Sequence, residues 1–152
     1  MALTKIISGG QTGADQAGLR AAKALGLETG GTAPYGWWTE EGPQMTLLES
    51  YNLVEGEPDS KTYPKRTARN VIGSDGTVAF GIMSSYGEIL TRNLCTKNRK
   101  PYIANPSQPQ FINWIEQHNI HVLNVAGNRE SVNLGIGQVV FDFLTSCLIK
   151  EE

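Results

Sequence analysis

The stretch SGGQTGADQAG, Ser8 to Gly18, sets an amide, a hydroxyl and a carboxylate (Gln11, Thr12, Asp15) among Gly9, Gly10 and Gly13. Glycines leave backbone N–H groups open to an approaching ligand. A helix starting here would offer its positive dipole end, which suits a phosphate or another anion. The stretch is not a P-loop, because GxxxxGK[ST] needs a lysine, and it is not GxGxxG either. Thr12 and Asp15 also spell T-x-x-D, a capping box that requires no ligand. For Asp15, capping and ligand binding both stay open. A cap has no need of three glycines, so the glycines point to a ligand.

Two further loops carry polar residues at comparable places. IMSSYGEILT, residues 82–91, offers Ser84, Ser85 and Gly87 as crevice lining, with Glu88 close behind. Ser85 and Glu88 again fit a capping box, S-x-x-E, which would explain Glu88 by structure alone. AGNRESVNLGIG, residues 126–137, holds Gly127, Asn128, Arg129, Glu130, Ser131 and Gly135. An arginine here can clamp a phosphate or carboxylate with two parallel bonds. Arg129 and Glu130 could equally pair with each other or face solvent. The glycines around them favour a ligand.

Other residues are less decisive. Arg66 and Asn70 lie four apart on one helix face, and the arginines of this segment are expected at the surface. Trp37 and Trp38 stand in a loop, where they could roof a flat ring, join a subunit contact or pack locally. His118, His121, Cys95 and Cys147 show no metal-ligand spacing. No Ser-His-Asp pattern or G-x-S-x-G elbow is present.

The elements that must position these loops follow from periodicity. Leu3–Ser8 reads as a buried strand and Ala14–Leu25 as a helix stopped by Gly26. Thr29–Pro43 reads as loop, and Tyr51–Val54 as a short edge strand. Tyr63–Ile72 predicts a helix, Asp75-Gly76 a turn, and Thr77–Gly81 a core strand. Ser85–Lys97 predicts a helix with Ile89, Leu90 and Leu94 inward. Pro101–Ala104 is a third core strand. Ser107, Pro109 and Gln110 open the next helix, whose inward stripe is Phe111, Trp114, Ile115 and His118. His121–Ala126 is a fourth core strand. The last helix, Gly135–Leu148, has the stripe Ile136, Val139, Val140, Phe143, Leu144 and Cys147.

Alternating strands and helices predict an α/β fold: a Rossmann-like three-layer sandwich with a mostly parallel sheet, helices on both faces and right-handed crossovers. Ligands of such sheets sit beyond the carboxyl ends of the strands. That singles out the loops after Ser8, Gly81, Ala104 and Ala126, and places SDGT, Ser74 to Thr77, at the quieter end.

The bulk numbers are compatible with this. A chain of 152 residues fits one domain spanning residues 1–152. No apolar run approaches the roughly 20 residues of a membrane span, and MALTKIISGG lacks a signal-peptide core. A net charge of −2 gives no nucleic-acid footprint. Two distant cysteines suggest a reducing compartment. A cytoplasmic protein with neither membrane nor nucleic-acid partner is expected. The 17 glycines exceed the average share of about 7% and cluster at strand-to-helix junctions.

GGQTGAD, RT-x-x-N followed by SDGT, and NVAG-x-RES-x-x-x-GI occur in this order along nearly the whole chain. Together they resemble the circularly permuted YpsA-type branch of the SLOG superfamily, whose members are often labelled as candidate molybdenum cofactor carriers. The resemblance implies a Rossmann-like fold and a nucleotide-like ligand. It also implies a homo-oligomer, dimer or tetramer. Its motifs fall on Gly9, Gly10, Gln11, Thr12, Gly13 and Asp15; on Asn70, Asp75, Gly76 and Thr77; and on Gly127, Arg129, Glu130, Ser131, Gly135 and Ile136. Glu88 stands where a threonine is expected, and Glu40 and Glu41 stand in a loop that is often basic. Both changes remove a neutral or positive group near the expected crevice.

The function expected from all this is binding of a phosphorylated nucleotide- or pterin-like molecule, with phosphate on the Gly9–Gly13 and Gly127–Gly137 backbone and on Arg129. Molybdenum cofactor enters as a possible ligand through the resemblance alone, and any metal would arrive already held by it. The alternative is a nucleoside-monophosphate N-glycosidase like the LOG enzymes. Glu88 would then be the catalytic carboxylate, with Asp15 or Glu130 as alternatives. A purely structural module would leave the clustered glycines unexplained.

Overall fold

The computed structural model describes residues 2–58 and 64–149. Its elements run β1 (Lys5–Ile7), α1 (Ala14–Ala24), β2 (Glu28–Ala33), a 3-10 turn at Tyr35–Trp37, β3 (Trp38–Thr39), β4 (Gly42–Pro43), α2 (Met45–Ser50) and β5 (Leu53–Glu55). They continue with α3 (Lys65–Ile72), β6 (Gly76–Phe80), α4 (Tyr86–Lys97), β7 (Tyr102–Ala104), α5 (Gln108–Gln117), β8 (Val122–Gly127) and α6 (Ile136–Leu148). The expected start of α3 at Tyr63 lies outside the described residues.

Six strands form one sheet in the order β5-β2-β1-β8-β6-β7, and every pairing in it is parallel. Parallel neighbours need crossovers, so the helices cover the two faces. On one face α1, α5 and α6 pack Ala17, Phe111, Val140 and Leu144 onto Ile6, Val78, Leu123 and Val125. On the other, α3 and α4 bury Ala68, Val71, Leu94 and Cys95. The fold is the expected Rossmann-like α/β sandwich. The chain after β1 turns toward β2, whereas the chain after β6 turns toward β7. The strand order therefore reverses around β1, β8 and β6, where a crevice opens.

The expected loop Thr29–Pro43 is mostly structured. Its first part is β2, paired with β1 and β5. The motif ETGGTA lacks the apolar run of a buried strand because Gly31 passes against the backbone of Ser8. Its second part is the β3–β4 hairpin, Trp38↔Pro43 and Thr39↔Gly42. Helix α2 was not expected either. It is six residues long, too short for helical periodicity to show.

Three expected core positions lie outside. Val139 is 61% and Ile89 37% exposed, on the flanks of stripes carried by Ile136, Val140 and Leu144, and by Thr91, Leu94 and Cys95. His118 is the C-cap of α5, beyond its last packed turn, edge-on to Trp114. The Ser107 capping box forms as expected: Ser107 N–H donates to Gln110 Oε1 (2.9 Å) and Gln110 N–H to Ser107 Oγ (3.3 Å). Cys95 and Cys147 are free and buried. Among the described residues, no helix is long and apolar enough to cross a membrane.

Candidate functional site

A cleft of about 390 Å³ opens where β1 and β8 end and α3 and α4 lean over the sheet. Gly9, Gln11 and Asp15 line it from the first loop and helix, and Ser85, Gly87 and Glu88 from the start of α4. Gly127, Asn128 and Arg129 line it from the end of β8. Three loops far apart in sequence therefore meet, as the sheet topology requires. Gly10, Thr12, Gly13, Ser84, Glu130, Ser131 and Gly135 are not among the lining residues. The loop after β7 stays away too, since Asn105 ties its amide to both N–H and C=O of Gly81.

The glycine loop proves less open than its composition suggests. Gly10 N–H donates to Ser8 Oγ (3.3 Å), Gln11 N–H to Asp15 Oδ2 (3.2 Å) and Thr12 N–H to Gln11 Oε1 (3.0 Å). Ala14 N–H donates to the Asn128 carbonyl (3.1 Å). Gly10, Gln11 and Thr12 belong to the expected phosphate cradle of Gly9–Gly13, and the protein's own acceptors already occupy their N–H groups. The T-x-x-D capping box does not form. Gly13 is the N-cap of α1 and no side chain caps it. Asp15 reaches back to Gln11 instead, because the loop folds over the start of α1.

Asp15 and Glu88 sit near each other on the cleft floor. Each is 8% exposed. Burial pushes Asp15 up to about 6, against the pull of Arg66 and the backbone N–H of Gln11. Burial pushes Glu88 up to about 7, reinforced by the Asp15 charge and opposed by Arg66. The S-x-x-E box is half formed: Ser85 Oγ accepts from Glu88 N–H (3.4 Å). Glu88 Oε2 is buried with no hydrogen-bond partner among the described residues.

Arg66 was expected at the surface, and here the structure corrects the sequence. It is half-buried, lines the cleft and has no carboxylate within ion-pair reach among the described residues. Its guanidinium lies over Gly9, where any Cβ would overlap it and would approach Asp15 Oδ2 to 3.1 Å. The signal was present in sequence: Arg66 and Asn70 share one helix face, and both line the cleft. What periodicity lacked was the sheet that brings this face against β2 and the loop after β1.

The profile of a family described as circularly permutated YpsA SLOG matches residues 6–148. The chain belongs to this family. Its structure resembles the crystal structure of a candidate molybdenum carrier protein from Syntrophus aciditrophicus SB, with a TM-score of 0.84 and 36% identity. That similarity covers 97% of this chain and 96% of the other. No curated protein matches the chain.

In this YpsA-type SLOG chain several motif residues hold the frame. Asn70 pairs its amide with both N–H (2.8 Å) and C=O (3.1 Å) of Thr32. Asp75 Oδ2 accepts from His121 N–H (3.0 Å) and Val122 N–H (2.9 Å), anchoring the start of β8. Thr77 Oγ1 accepts from Asn124 (3.1 Å) inside the sheet. Asn128 clamps Ile82 through its N–H (2.6 Å) and C=O (2.9 Å). Glu130 does not pair with Arg129. It accepts from Gly135 and Gly137 N–H and so caps α6, which takes it out of the cleft.

Glu40, in the turn of the β3–β4 hairpin, is held from three sides. Thr12 and Ser131 hydroxyls donate to its carboxylate, Ser131 N–H donates at 3.2 Å, and Arg129 Nε lies 3.6 Å away. The Ser131 hydroxyl and then the Thr12 hydroxyl hold the Glu40 carboxyl below its ordinary range. Arg129 is thus engaged by a carboxylate of the chain itself. Glu40→Ala should lower the melting temperature measurably and speed amide exchange in residues 38–43, as read by hydrogen-exchange mass spectrometry. Unchanged exchange there would show that Glu40 does not fasten the hairpin. Trp37 packs beside Leu19 and Leu48 and Trp38 is exposed, and neither lines the cleft.

Proposed function

We propose that the chain binds a phosphorylated nucleotide- or pterin-like small molecule in this cleft, as a binding or carrier protein. The observation that carries this reading is Arg66: a half-buried guanidinium with no carboxylate in ion-pair contact among the described residues, lining a cleft at the switch point of the sheet. A partly desolvated cation gains when an anion comes into direct contact with it. Tyr86 and Gly87, in the first turn of α4, line the same cleft, and the positive end of that helix favours the same charge. The Syntrophus protein's molybdenum-carrier designation agrees with such a ligand. Among the described residues, no three His, Cys, Asp or Glu converge as a metal cage. Any molybdenum would arrive as part of the ligand.

Isothermal titration with nucleoside monophosphates and phosphorylated pterins tests the reading. Arg66→Ala should weaken binding at least tenfold, as loss of a charge-assisted contact does. Arg129→Ala should weaken it less, because Glu40 already engages Arg129. Equal affinity in the parent and Arg66→Ala would overturn the anchoring role. Assembly into a dimer or tetramer belongs to the same reading, and light scattering on the purified protein tests it.

One observation favours a second reading, the nucleoside-monophosphate N-glycosidase. Asp15 and Glu88, raised to about 6 and about 7, offer a proton donor near neutral pH on the cleft floor. That is the condition for general acid assistance to a leaving base. Base release from a bound monophosphate, abolished in Glu88→Gln, would establish it. Stable binding without release keeps the carrier reading.

A further inference from the structure

The polar side chains along the cleft are mostly engaged. Asn70 is bonded twice to Thr32, Asn128 twice to Ile82, and Thr91 donates to the Gly87 carbonyl (3.0 Å). The Asn124 amide donates to Thr77. Glu88 differs. More than nine-tenths of it is buried, it lines the cleft, and Oε2 has no donor among the described residues. Asp15 stands beside it with one oxygen on Gln11 N–H. Two carboxyls at a cleft floor present acceptors, and a ligand edge that satisfies them must present donors. At the rim, Tyr86 is 69% exposed and lines the same cleft, a free aromatic face for a flat ring.

We infer that Glu88 reads the ring of the ligand: its unpartnered oxygen, with Asp15 beside it, accepts N–H bonds from a purine or pterin bearing adjacent lactam N–H and amino donors, while Tyr86 covers the ring face. This deepens the proposed binding function and rests on the cleft being the ligand site. A 2-amino-oxo ring such as guanine offers two neighbouring donors to a carboxylate. Adenine sets a ring-nitrogen acceptor against that carboxylate, and this mismatch leaves two acceptors facing each other. A site built for a donor discriminates strongly against a ligand that lacks it.

The test is titration calorimetry at pH 8 with GMP, IMP, AMP, guanosine, adenosine and ribose 5-phosphate, on the parent and on Glu88→Gln. GMP should bind at least tenfold tighter than AMP, with IMP between, because IMP lacks the amino donor. Guanosine should exceed adenosine by a similar factor. Glu88→Gln should erase the preference without weakening ribose 5-phosphate, since the substitution removes a negative charge near Arg66. AMP binding as tightly as GMP, a preference that survives Glu88→Gln, or no binding of any ring compound to the parent would overturn the inference. Nucleosides binding as tightly as their monophosphates would instead overturn the phosphate reading, while the guanosine preference stood.

Discussion

Glu88→Gln is expected to raise the melting temperature at pH 8 and to change it little near pH 4. Glu88 titrates at about 7 in the folded chain, against an ordinary value of 4.5. The folded state therefore holds this proton over a range where the unfolded state has released it. The contribution to stability is fully present below about 4.5 and is lost as the pH rises through about 7. Each unit is worth about 1.4 kcal/mol. Allowing for the amide that glutamine buries in its place, the gain at pH 8 should be on the order of 2 kcal/mol. For a chain of this size that is roughly 4–8 °C. Calorimetric scans of both proteins from pH 4 to pH 9 check it. The gap should widen up to about pH 7 and then level off, and a gap independent of pH would show that Glu88 ionises normally. Asp15, at about 6, adds a loss of the same sign over a lower window.

Gly31→Ala should be the most damaging single methyl in the chain. Gly31 has φ +130, and a Cβ there would collide with the Ser8 carbonyl and stand 2.9 Å from Ser8 N. The neighbour is backbone of the adjacent central strand, so nothing flexible can yield. The expected cost is about 4 kcal/mol or more, in the range of exceptional substitutions, and failure to fold at 37 °C would agree with it. Gly26→Ala is the control. Gly26 also has positive φ, +75, but no atom lies within 4 Å of the added Cβ. There the cost should stay near 1–2 kcal/mol, the intrinsic penalty of the left-handed region. Urea titrations of the two variants compare them directly. Similar midpoints would mean that β2 moves away from β1 more easily than this packing implies.

The same glycine explains what sequence reading missed. A buried strand announces itself by an apolar run, as KII in β1 and GTVAF in β6 do. β2 passes too close to β1 at Gly31 to carry such a run, so ETGGTA looks like loop. The stripe of α6 and the Ser107 cap were legible because local geometry alone decides them. The three loops around the cleft were legible through topology. Arg66 and the contacts of Glu40 were not, because both depend on which distant segment assembly brings near. Composition misled at the glycine loop, where Asp15, Ser8 and Gln11 supply the acceptors that an external anion was expected to provide.

The fastening of Glu40 has a consequence for where a ligand's phosphate can settle. Thr12, Ser131 and Arg129 together form a small anion receptor, and its occupant is tethered to the same chain. A tethered group acts at an effective concentration on the order of millimolar even on a flexible link. A hairpin holds it more narrowly still. Free phosphate at micromolar levels therefore competes poorly for that receptor. The two arginines of the cleft are chemically alike but unequal in availability: Glu40 contacts Arg129 directly, whereas Asp15 and Glu88 act on Arg66 without an ion-pair contact among the described residues.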